Sequence, residues 1–231
     1  MERLPLAERY VAWLADAGTV RGLIGPREVP RLWERHVLNS AVVAEWVPEG
    51  ARVADVGSGA GLPGIPLALA RPDLQVTLIE PLLRRVTFLE EVVADLGLPI
   101  EVVRARADEL HGTRSFDVVT SRAVAPLDRL ASWCMPLVGA DGAMVALKGS
   151  SVEEEIEQHQ ATLSEHGTAA AVARPLGEHV LDRPTWAVRV AWADEPRVSW
   201  RPARGTQKRR GPRSVGGRAS TQRSGRRKGT R

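Results

Sequence analysis

Five short apolar runs alternate with amphipathic segments between residues 52 and 166, and this alternation constrains the fold more than any other feature of the sequence. The apolar runs predict strands at 52–56, 75–80, 100–104, 116–120 and 142–147, and the amphipathic segments predict helices at 64–71, 82–96, 126–138 and 151–166. Strands and helices that alternate in this way form a parallel sheet covered by helices on both faces. The central part of the chain is therefore predicted to be an α/β domain.

Two further β-rich runs, 168–176 and 185–193, follow with no helical pattern between them. We predict that they pair antiparallel and close one edge of the sheet, which then has seven strands. Ahead of the first strand, residues 3–17 and 27–46 carry apolar residues at helical spacing. The expected organisation is a helical cap over 1–47, an α/β domain over 48–196 and a separate C-terminal segment over 197–231.

The C-terminal segment is strongly basic, while the rest of the chain is acidic. From Arg197 onward there are 13 Arg or Lys residues and no acidic residue, so the rest has 32 − 13 = 19 basic against 28 acidic residues, a net charge of −9. Rich in Gly, Ser, Arg and Pro, the segment is predicted to be disordered. Its charge indicates a polyanionic partner such as RNA, with candidate contacts at Arg197, Arg201, Arg204, Lys208, Arg209, Arg210 and Arg213.

Cysteine usage and hydropathy limit the compartment and the class of protein. The single cysteine, Cys134, excludes a disulfide within the chain, and no Cys or His spacing is typical of a metal site. Charged residues interrupt the apolar positions of 1–18, unlike a signal peptide, and no apolar stretch reaches the ~18 residues that span a bilayer. We expect a cytoplasmic monomer with no membrane partner and no bound metal.

A glycine-rich turn follows the first predicted strand, where open parallel sheets bind ligands. It contains Gly57, Gly59 and Gly61, followed by Leu62. Glycines let the backbone bend sharply and approach a ligand more closely than a residue with a Cβ. A tight turn that binds nothing would also need glycines, so the turn alone does not establish a site.

The ends of the second and third strands carry groups that suit a nucleotide. Glu80 lies 19 residues beyond Gly61, where a carboxylate can accept hydrogen bonds from both ribose hydroxyls or, alternatively, cap the next helix. Ala107 and Asp108 follow the third strand and are placed to frame an adenine, with Asp108 accepting from its amine. Because three successive strand ends offer fitting groups, we favour a nucleotide-like cofactor.

The stretch "DVGSGAGLPGIPLALARPDLQVTLIEPLLRRVTFLEE", with "RHVLNS" before it and "SRAVAPLDRLASWCMPLVGADGAMVALKG" after it, resembles the RsmG (GidB) family of small-subunit ribosomal RNA methyltransferases. The resemblance runs from about the first helix to the last strand and leaves out the basic segment. It implies a class I methyltransferase fold, which is Rossmann-like with a mostly parallel seven-stranded sheet. It also implies S-adenosylmethionine as donor and methylation of the seven-position nitrogen of one guanine in small-subunit (16S) ribosomal RNA.

The resemblance implies a role for each candidate site residue. The donor's amino-acid end is assigned to Gly57, Gly59 and Leu62, its ribose to Glu80 and its adenine to Ala107 and Asp108. Arg122, at the end of the fourth strand, is implied to contact the donor or the RNA and so to position the reactants.

Two residues depart from the family pattern. Asn39 replaces an aspartate in the motif that also contains His36 and Ser40, and Asp108 stands where glutamate is commoner. His36 could face the substrate or serve only as a structural histidine. For Arg122, the alternative to a site role is a surface salt bridge with Asp128.

The implied reaction needs no general base, because the seven-position nitrogen of guanine carries a lone pair and no proton at neutral pH. The enzyme must instead hold the reactants in line, which is worth up to roughly 7–11 kcal/mol. Methylation of carbon would need a cysteine nucleophile, and Cys134 is predicted to be a buried structural residue. Trp133 and the other helical tryptophans are predicted to pack, and Lys148 is expected to meet RNA phosphate or solvent.

Two other functions remain open from the residues. A short NAD(P)-dependent reductase would use the same turn, but the spacing is G-x-G-x-G, and Tyr10 is the only tyrosine and belongs to no Tyr-x-x-x-Lys pair. The second alternative is a non-catalytic RNA-binding or ribosome-assembly protein, and the basic segment is its only support in the sequence.

Overall fold

Seven strands form one sheet in the computed structural model, which describes residues 3–122 and 125–200. In space the order is β3-β2-β1-β4-β5-β7-β6, and β1 to β5 pair in parallel. This confirms the predicted α/β class and the mostly parallel sheet. The strands are β1 (Arg52–Val56), β2 (Gln75–Ile79), β3 (Glu101–Val103), β4 (Phe116–Arg122), β5 (Val138–Lys148), β6 (Val172–Leu176) and β7 (Thr185–Val190).

The last two strands pair antiparallel and close one edge of the sheet, as predicted. β7 also pairs antiparallel with β5, which is longer than the predicted 142–147. The extra length arises because helix α5 (Leu127–Cys134) ends early, with Pro136 in the single 3-10 turn that follows. A proline has no backbone N–H to continue a helix, so the chain is extended again from Val138.

Helices pack on both faces of the sheet. They are α1 (Leu4–Trp13), α2 (Asn39–Ala41), α3 (Gly64–Ala70), α4 (Leu83–Leu96), α5 and α6 (Val152–Glu165). The predicted helix at 27–46 is a succession of short helical segments, 3-10 at 26–31, π-helical at 32–38, α2, and 3-10 at 42–46. Pro30 lies inside the first of these and interrupts regular α-helical hydrogen bonding.

Alternate strand residues enter two hydrophobic cores, one on each face. Val53 and Leu78 belong to the first core, and Val119 and Met144 to the second. The N-terminal helical region contributes to the first core through buried residues such as Tyr10, so it packs on the same face as α3 and α4. The proposed division at residue 47 therefore runs through a shared core.

The chain stays against this body as far as Trp200. The Trp200 ring stacks on His166 with centroids 4.2 Å apart, and Arg197 donates from Nη1 to the Glu165 carbonyl at 3.5 Å. The start of the basic segment, 197–200, is thus packed on the folded part of the chain, where disorder was predicted. Residues 201–231, for which disorder was also predicted, lie outside the described residues. No helix within the described ranges is both long and apolar enough to cross a bilayer.

The sheet order creates a crevice beside the carboxyl end of β1. This strand lies between β2 and β4, so the connections that leave β1 and β4 diverge to opposite faces. Ligands of open α/β sheets bind at such a switch point. The glycine turn lies there.

Candidate active site

A cavity of about 720 Å³ lies at the carboxyl ends of the first four strands. Cavities that bind small ligands measure about 300–1,000 Å³, so its size suits a cofactor. The walls come from the glycine turn after β1, the residues after β2 and β3, the end of β4 and the N-terminal helical region. The predicted site residues that the structure brings together here are Gly57, Gly59, Leu62, Glu80, Ala107, Asp108 and Arg122.

The glycine turn has the backbone conformation that glycine favours. Gly57 and Gly59 have φ angles of 74° and 59°. Apart from its two chain neighbours, no described residue has an atom closer than 3.8 Å to a Cβ built on Gly59, so this Cβ would occupy cavity space. The turn therefore leaves space in the cavity wall that a side chain on Gly59 would fill.

Gly61 differs from the other two glycines because it is not part of the cavity wall. Its φ angle is 95°, and a Cβ there would collide with the Ile65 side chain and lie 3.1 Å from the Tyr10 hydroxyl. Gly61 is thus needed for packing beneath the turn. Its predicted place among the donor contacts has no support in this geometry.

Glu80 links the glycine turn to the start of α4. Its side chain is 1% exposed, and its carboxylate accepts hydrogen bonds at 3.0 Å from the N–H groups of both Gly59 and Leu82. Arg85 contributes a third contact at 3.4 Å. The N–H that Glu80 binds at this helix is that of Leu82, the N-cap residue, and α4 has no side-chain N-cap, so Glu80 does not fill the usual capping position. Glu80 also lines the cavity, and its ribose contact stays a prediction.

Ala107 and Asp108 lie in a 3-10 turn after β3 and form the opposite wall. The Asp108 carboxylate pairs with Arg106 at 3.0 Å, and this hydrogen bond lowers the pKa of Asp108. The side chains of this ion pair are both exposed at the rim. The predicted adenine contact of Asp108 stays a prediction, since its carboxylate already has a partner.

Arg122 ends β4 and is held by the N-terminal region. Its Nη1 donates to the His36 carbonyl at 3.1 Å and to Ser40 Oγ at 2.9 Å, and its Nη2 lies 2.5 Å from His36 Nδ1. The alternative salt bridge with Asp128 does not form, because Asp128 lies beside His159 at 3.8 Å in the described part of the chain. His36 also lines the cavity, whereas Asn39 is not part of its wall.

Asp55 is a site feature that the sequence analysis missed. Its carboxyl group is fully buried beneath the glycine turn, and Oδ2 accepts the Gly64 N–H at 3.0 Å. Oδ1 has no hydrogen-bond partner among the described residues. Burial raises the pKa of Asp55 to about 7. The sequence signal that could have revealed Asp55 is the presence of an aspartate inside the apolar run "VADV".

Replacing Asp55 with asparagine should change how stability depends on pH. The folded carboxyl group stays protonated up to about pH 7, while the unfolded chain loses this proton near 3.8. Wild-type stability must therefore fall, relative to the variant, as pH rises from about 4 to 7. Melting temperatures of both proteins without donor, at pH 4.5, 6 and 7.5, test this. A difference in melting temperature between wild type and Asp55→Asn that stays the same at all three pH values would contradict the prediction.

The structure also shows the surroundings of three other residues considered from the sequence, Lys148, Trp133 and Cys134. Lys148 is paired within the protein, because its Nζ donates to Glu155 at 2.8 Å and to the Ala125 carbonyl at 2.9 Å, and its side chain is mostly buried, so the predicted contact with solvent is not seen while a contact with RNA stays a prediction. Trp133 packs against the second core, as predicted, and it also lines the cavity, where the Arg129 guanidinium lies 5.0 Å from its ring. Cys134 is buried as predicted, and burial raises the pKa of its thiol.

The remaining candidates concern metals and the basic segment. Across 3–122 and 125–200, no group of three or more His, Cys, Asp or Glu side chains is placed to hold a metal ion. Of the predicted RNA contacts, Arg197 is described and exposed. The others lie outside the described residues, namely Arg201, Arg204, Lys208, Arg209, Arg210 and Arg213.

Comparison with solved structures shows the fold. The ribosomal protein L11 methylase from Lactobacillus delbrueckii subsp. bulgaricus has a TM-score of 0.51 at 17% identity, covering 67% of this chain and 76% of that one. The mitomycin 7-O-methyltransferase MmcR has a TM-score of 0.54 at 16% identity, covering 73% and 59%. The chain thus has the architecture of methyltransferases, as predicted.

Comparison of sequences shows the family. The family model described as rRNA small subunit methyltransferase G, GidB, matches residues 3–179. A "Ribosomal RNA small subunit methyltransferase G" from Nocardioides sp. is 60% identical over 230 residues, covering 99% of this chain and 91% of that protein. One of the same name from Mycobacterium marinum is 52% identical over 221 residues, covering 93% and 92%. The chain therefore belongs to the rRNA small subunit methyltransferase G (GidB) family.

Proposed function

We propose that this chain transfers a methyl group from S-adenosylmethionine to the seven-position nitrogen of a guanine in small-subunit ribosomal RNA. The observation that carries the proposal is the cavity at the switch point, where groups from four strand ends converge in a chain of this family. An RNA substrate of this kind implies action in the cytoplasm. We also propose that the chain acts as a monomer.

The geometry of the cavity fits the donor. Gly57, Gly59 and Leu62 would hold its amino-acid end, since the turn leaves the space that a Cβ on Gly59 would fill. Glu80 would accept hydrogen bonds from the ribose, and the turn at Ala107 would flank the adenine. When bound, S-adenosylmethionine supplies an electrophilic methyl group on a sulfonium sulfur.

The residues of the chain act by orientation and exclusion of water. The seven-position nitrogen has no proton to lose, so the cavity needs no general base. We assign to Arg122 the orientation of an anionic group of the donor or the RNA, and the position of this arginine in the cavity wall supports that role. Cys134 is fully buried in α5 and is not part of this wall, which argues against methylation of carbon through a cysteine nucleophile.

Calorimetric titration separates this proposal from its two alternatives. We expect saturable binding of S-adenosylmethionine and no binding of NADH at the same concentrations. A nicotinamide-dependent reductase would give the reverse result. A non-catalytic RNA-binding protein would bind small-subunit RNA with no response to either cofactor. The family assignment favours neither alternative.

Removal of the basic segment should weaken RNA binding and leave donor binding intact. A body of net charge −9 repels RNA, so capture is assigned to the segment, acting by counterion release at phosphates. Because Trp200 packs on His166, the truncation should follow residue 200 and remove 12 of the 13 basic residues. RNA affinity should then depend less on salt, by about 0.7–0.9 slope units for each phosphate that the shortened protein no longer neutralises.

A full-length variant with those 12 basic residues changed to glutamine separates charge from chain length. Filter binding between low and moderate salt measures the slope for each protein. Both altered proteins should show the shallower slope and methylate the same position as wild type. Slopes equal to that of wild type would mean that the segment contacts no phosphate.

A further inference from the structure

The hydrogen bonds around His36 connect three charged or polar residues from two parts of the chain. His36 Nε2 lies 2.8 Å from Glu28 Oε2, and His36 Nδ1 lies 2.5 Å from Nη2 of Arg122. Glu28 and His36 belong to the N-terminal helical region, and Arg122 ends β4. The imidazole, 12% exposed, thus lies between a carboxylate and a guanidinium at the wall of the cavity.

The partners of His36 determine its tautomer. A guanidinium has only N–H donors, so Nδ1 must be the acceptor in its contact with Arg122. The proton of the neutral imidazole then lies on Nε2 and is donated to Glu28. Burial lowers the pKa of His36, which favours the neutral ring, and the bond to His36 lowers the pKa of Glu28, which keeps the carboxylate ionised.

These contacts use only part of the Arg122 guanidinium. Its five N–H groups include two on Nη1, which bond to the His36 carbonyl and Ser40, and one on Nη2, which bonds to His36 Nδ1. The Nε–H and the second Nη2–H donate to no side chain or carbonyl within the described residues. Since Nη1 and Nη2 both contact His36, the Nε–H and the remaining Nη2–H lie along the adjacent edge of the guanidinium, as a pair that fits a carboxylate or phosphate.

We propose that Glu28 and His36 are positioning residues, which fix the tautomer of His36 so that Arg122 presents its remaining edge to an anionic group in the cavity. The group is either the carboxylate of the donor or a phosphate of the RNA, and these two ligands rest on the proposed function. Glu28 touches neither ligand in this scheme. It acts through His36, and His36 acts through Arg122.

The variant Glu28→Gln tests the scheme with little change of shape. A carboxamide can donate to Nε2 as well as accept from it, so it permits the tautomer whose Nδ1–H opposes Arg122. We expect about a tenfold loss of affinity for one anionic ligand, with an unchanged melting temperature. Calorimetry with S-adenosylmethionine and filter binding with small-subunit RNA identify the source, because a donor carboxylate contact changes only the first and a phosphate contact only the second.

Rescue by a second substitution distinguishes positioning from a structural role. In Glu28→Gln/His36→Asn, the Asn Oδ1 takes the place of Nδ1 and can only accept from Arg122, so affinity should return most of the way to wild type. If the Glu28–His36 bond merely stabilised the fold, the double variant would bind no better than Glu28→Gln. Glu101→Gln, a carboxylate outside the cavity wall that pairs with Arg114, is the control.

Both measurements are binding assays, so the result does not depend on turnover. Wild-type affinities for both ligands in Glu28→Gln would overturn the proposal, as would a double variant that is not rescued. Failure of the proposed function would appear separately, as wild-type protein that binds neither S-adenosylmethionine nor small-subunit RNA. In that case wild type and the same variants are titrated with citrate and inorganic phosphate as probes of the Arg122 edge. Equal affinities of wild type and Glu28→Gln for these probes would again overturn the proposal.

Discussion

Replacing Gly59 with valine is expected to abolish detectable binding of S-adenosylmethionine, a loss of at least about a hundredfold in affinity. The Cβ and its two methyl groups would enter the cavity, because the Gly57 carbonyl oxygen, at 3.8 Å, is the one atom within 4 Å of that Cβ position among the described residues that are not its chain neighbours. The φ angle of 59° adds backbone strain of order 1–3 kcal/mol for a β-branched residue. Calorimetry measures the affinity and circular dichroism checks the fold.

Gly97→Val is the matched control for this experiment. Gly97 has a φ angle of 61°, and a Cβ built on it would have no atom within 4 Å among the described residues other than its chain neighbours; it follows α4, away from the cavity wall. It should lose similar stability through strain and keep its affinity for the donor. Equal affinities in wild type and a folded Gly59→Val protein would remove the glycine turn from the site.

Replacing Glu80 with alanine is expected to weaken donor binding by about 1.5–3 kcal/mol, the range for a hydrogen bond to a charged group. That range corresponds to a loss of roughly 10- to 150-fold in affinity. The change also leaves the N–H groups of Gly59 and Leu82 without their acceptor. We therefore expect a lower melting temperature as well as a weaker donor affinity.

Two variants separate these effects of Glu80. Glu80→Gln keeps an acceptor for one of the two N–H groups but lacks the charge, so it should recover part of the stability and still bind the donor weakly. Glu101→Ala removes a carboxylate outside the cavity wall and should leave the affinity unchanged. If Glu80→Ala bound S-adenosylmethionine as tightly as wild type, Glu80 would serve only to join the glycine turn to the start of α4.

The positions of the glycine turn, Glu80 and Ala107 at one cavity could be predicted from the sequence. Apolar runs alternating with helical segments imply parallel strands, and the carboxyl ends of parallel strands meet at one edge of a sheet. Each residue was located by counting from a strand end. No knowledge of side-chain contacts was needed.

The surroundings of Arg122 could not be predicted in this way. Its partners His36 and Ser40 lie 86 and 82 residues earlier in the chain. The helical spacing of that region does not predict which of its residues will face β4. Lys148 shows the same limit, because its pairing with Glu155 depends on where α6 begins after β5. Such contacts depend on how two elements pack against each other. The spacing of residues along one element does not predict this packing.

Methyl transfer to small-subunit ribosomal RNA tests the central proposal most directly. The purified protein is incubated with methyl-labelled S-adenosylmethionine and either free 16S RNA or small subunits from a strain that lacks this enzyme, and the RNA is digested to nucleosides. We predict that the label co-migrates with 7-methylguanosine, reaches about one methyl group per RNA, and is absent with Gly59→Val. Label in a different nucleoside, or no label under conditions where calorimetry shows the donor bound, would contradict the account.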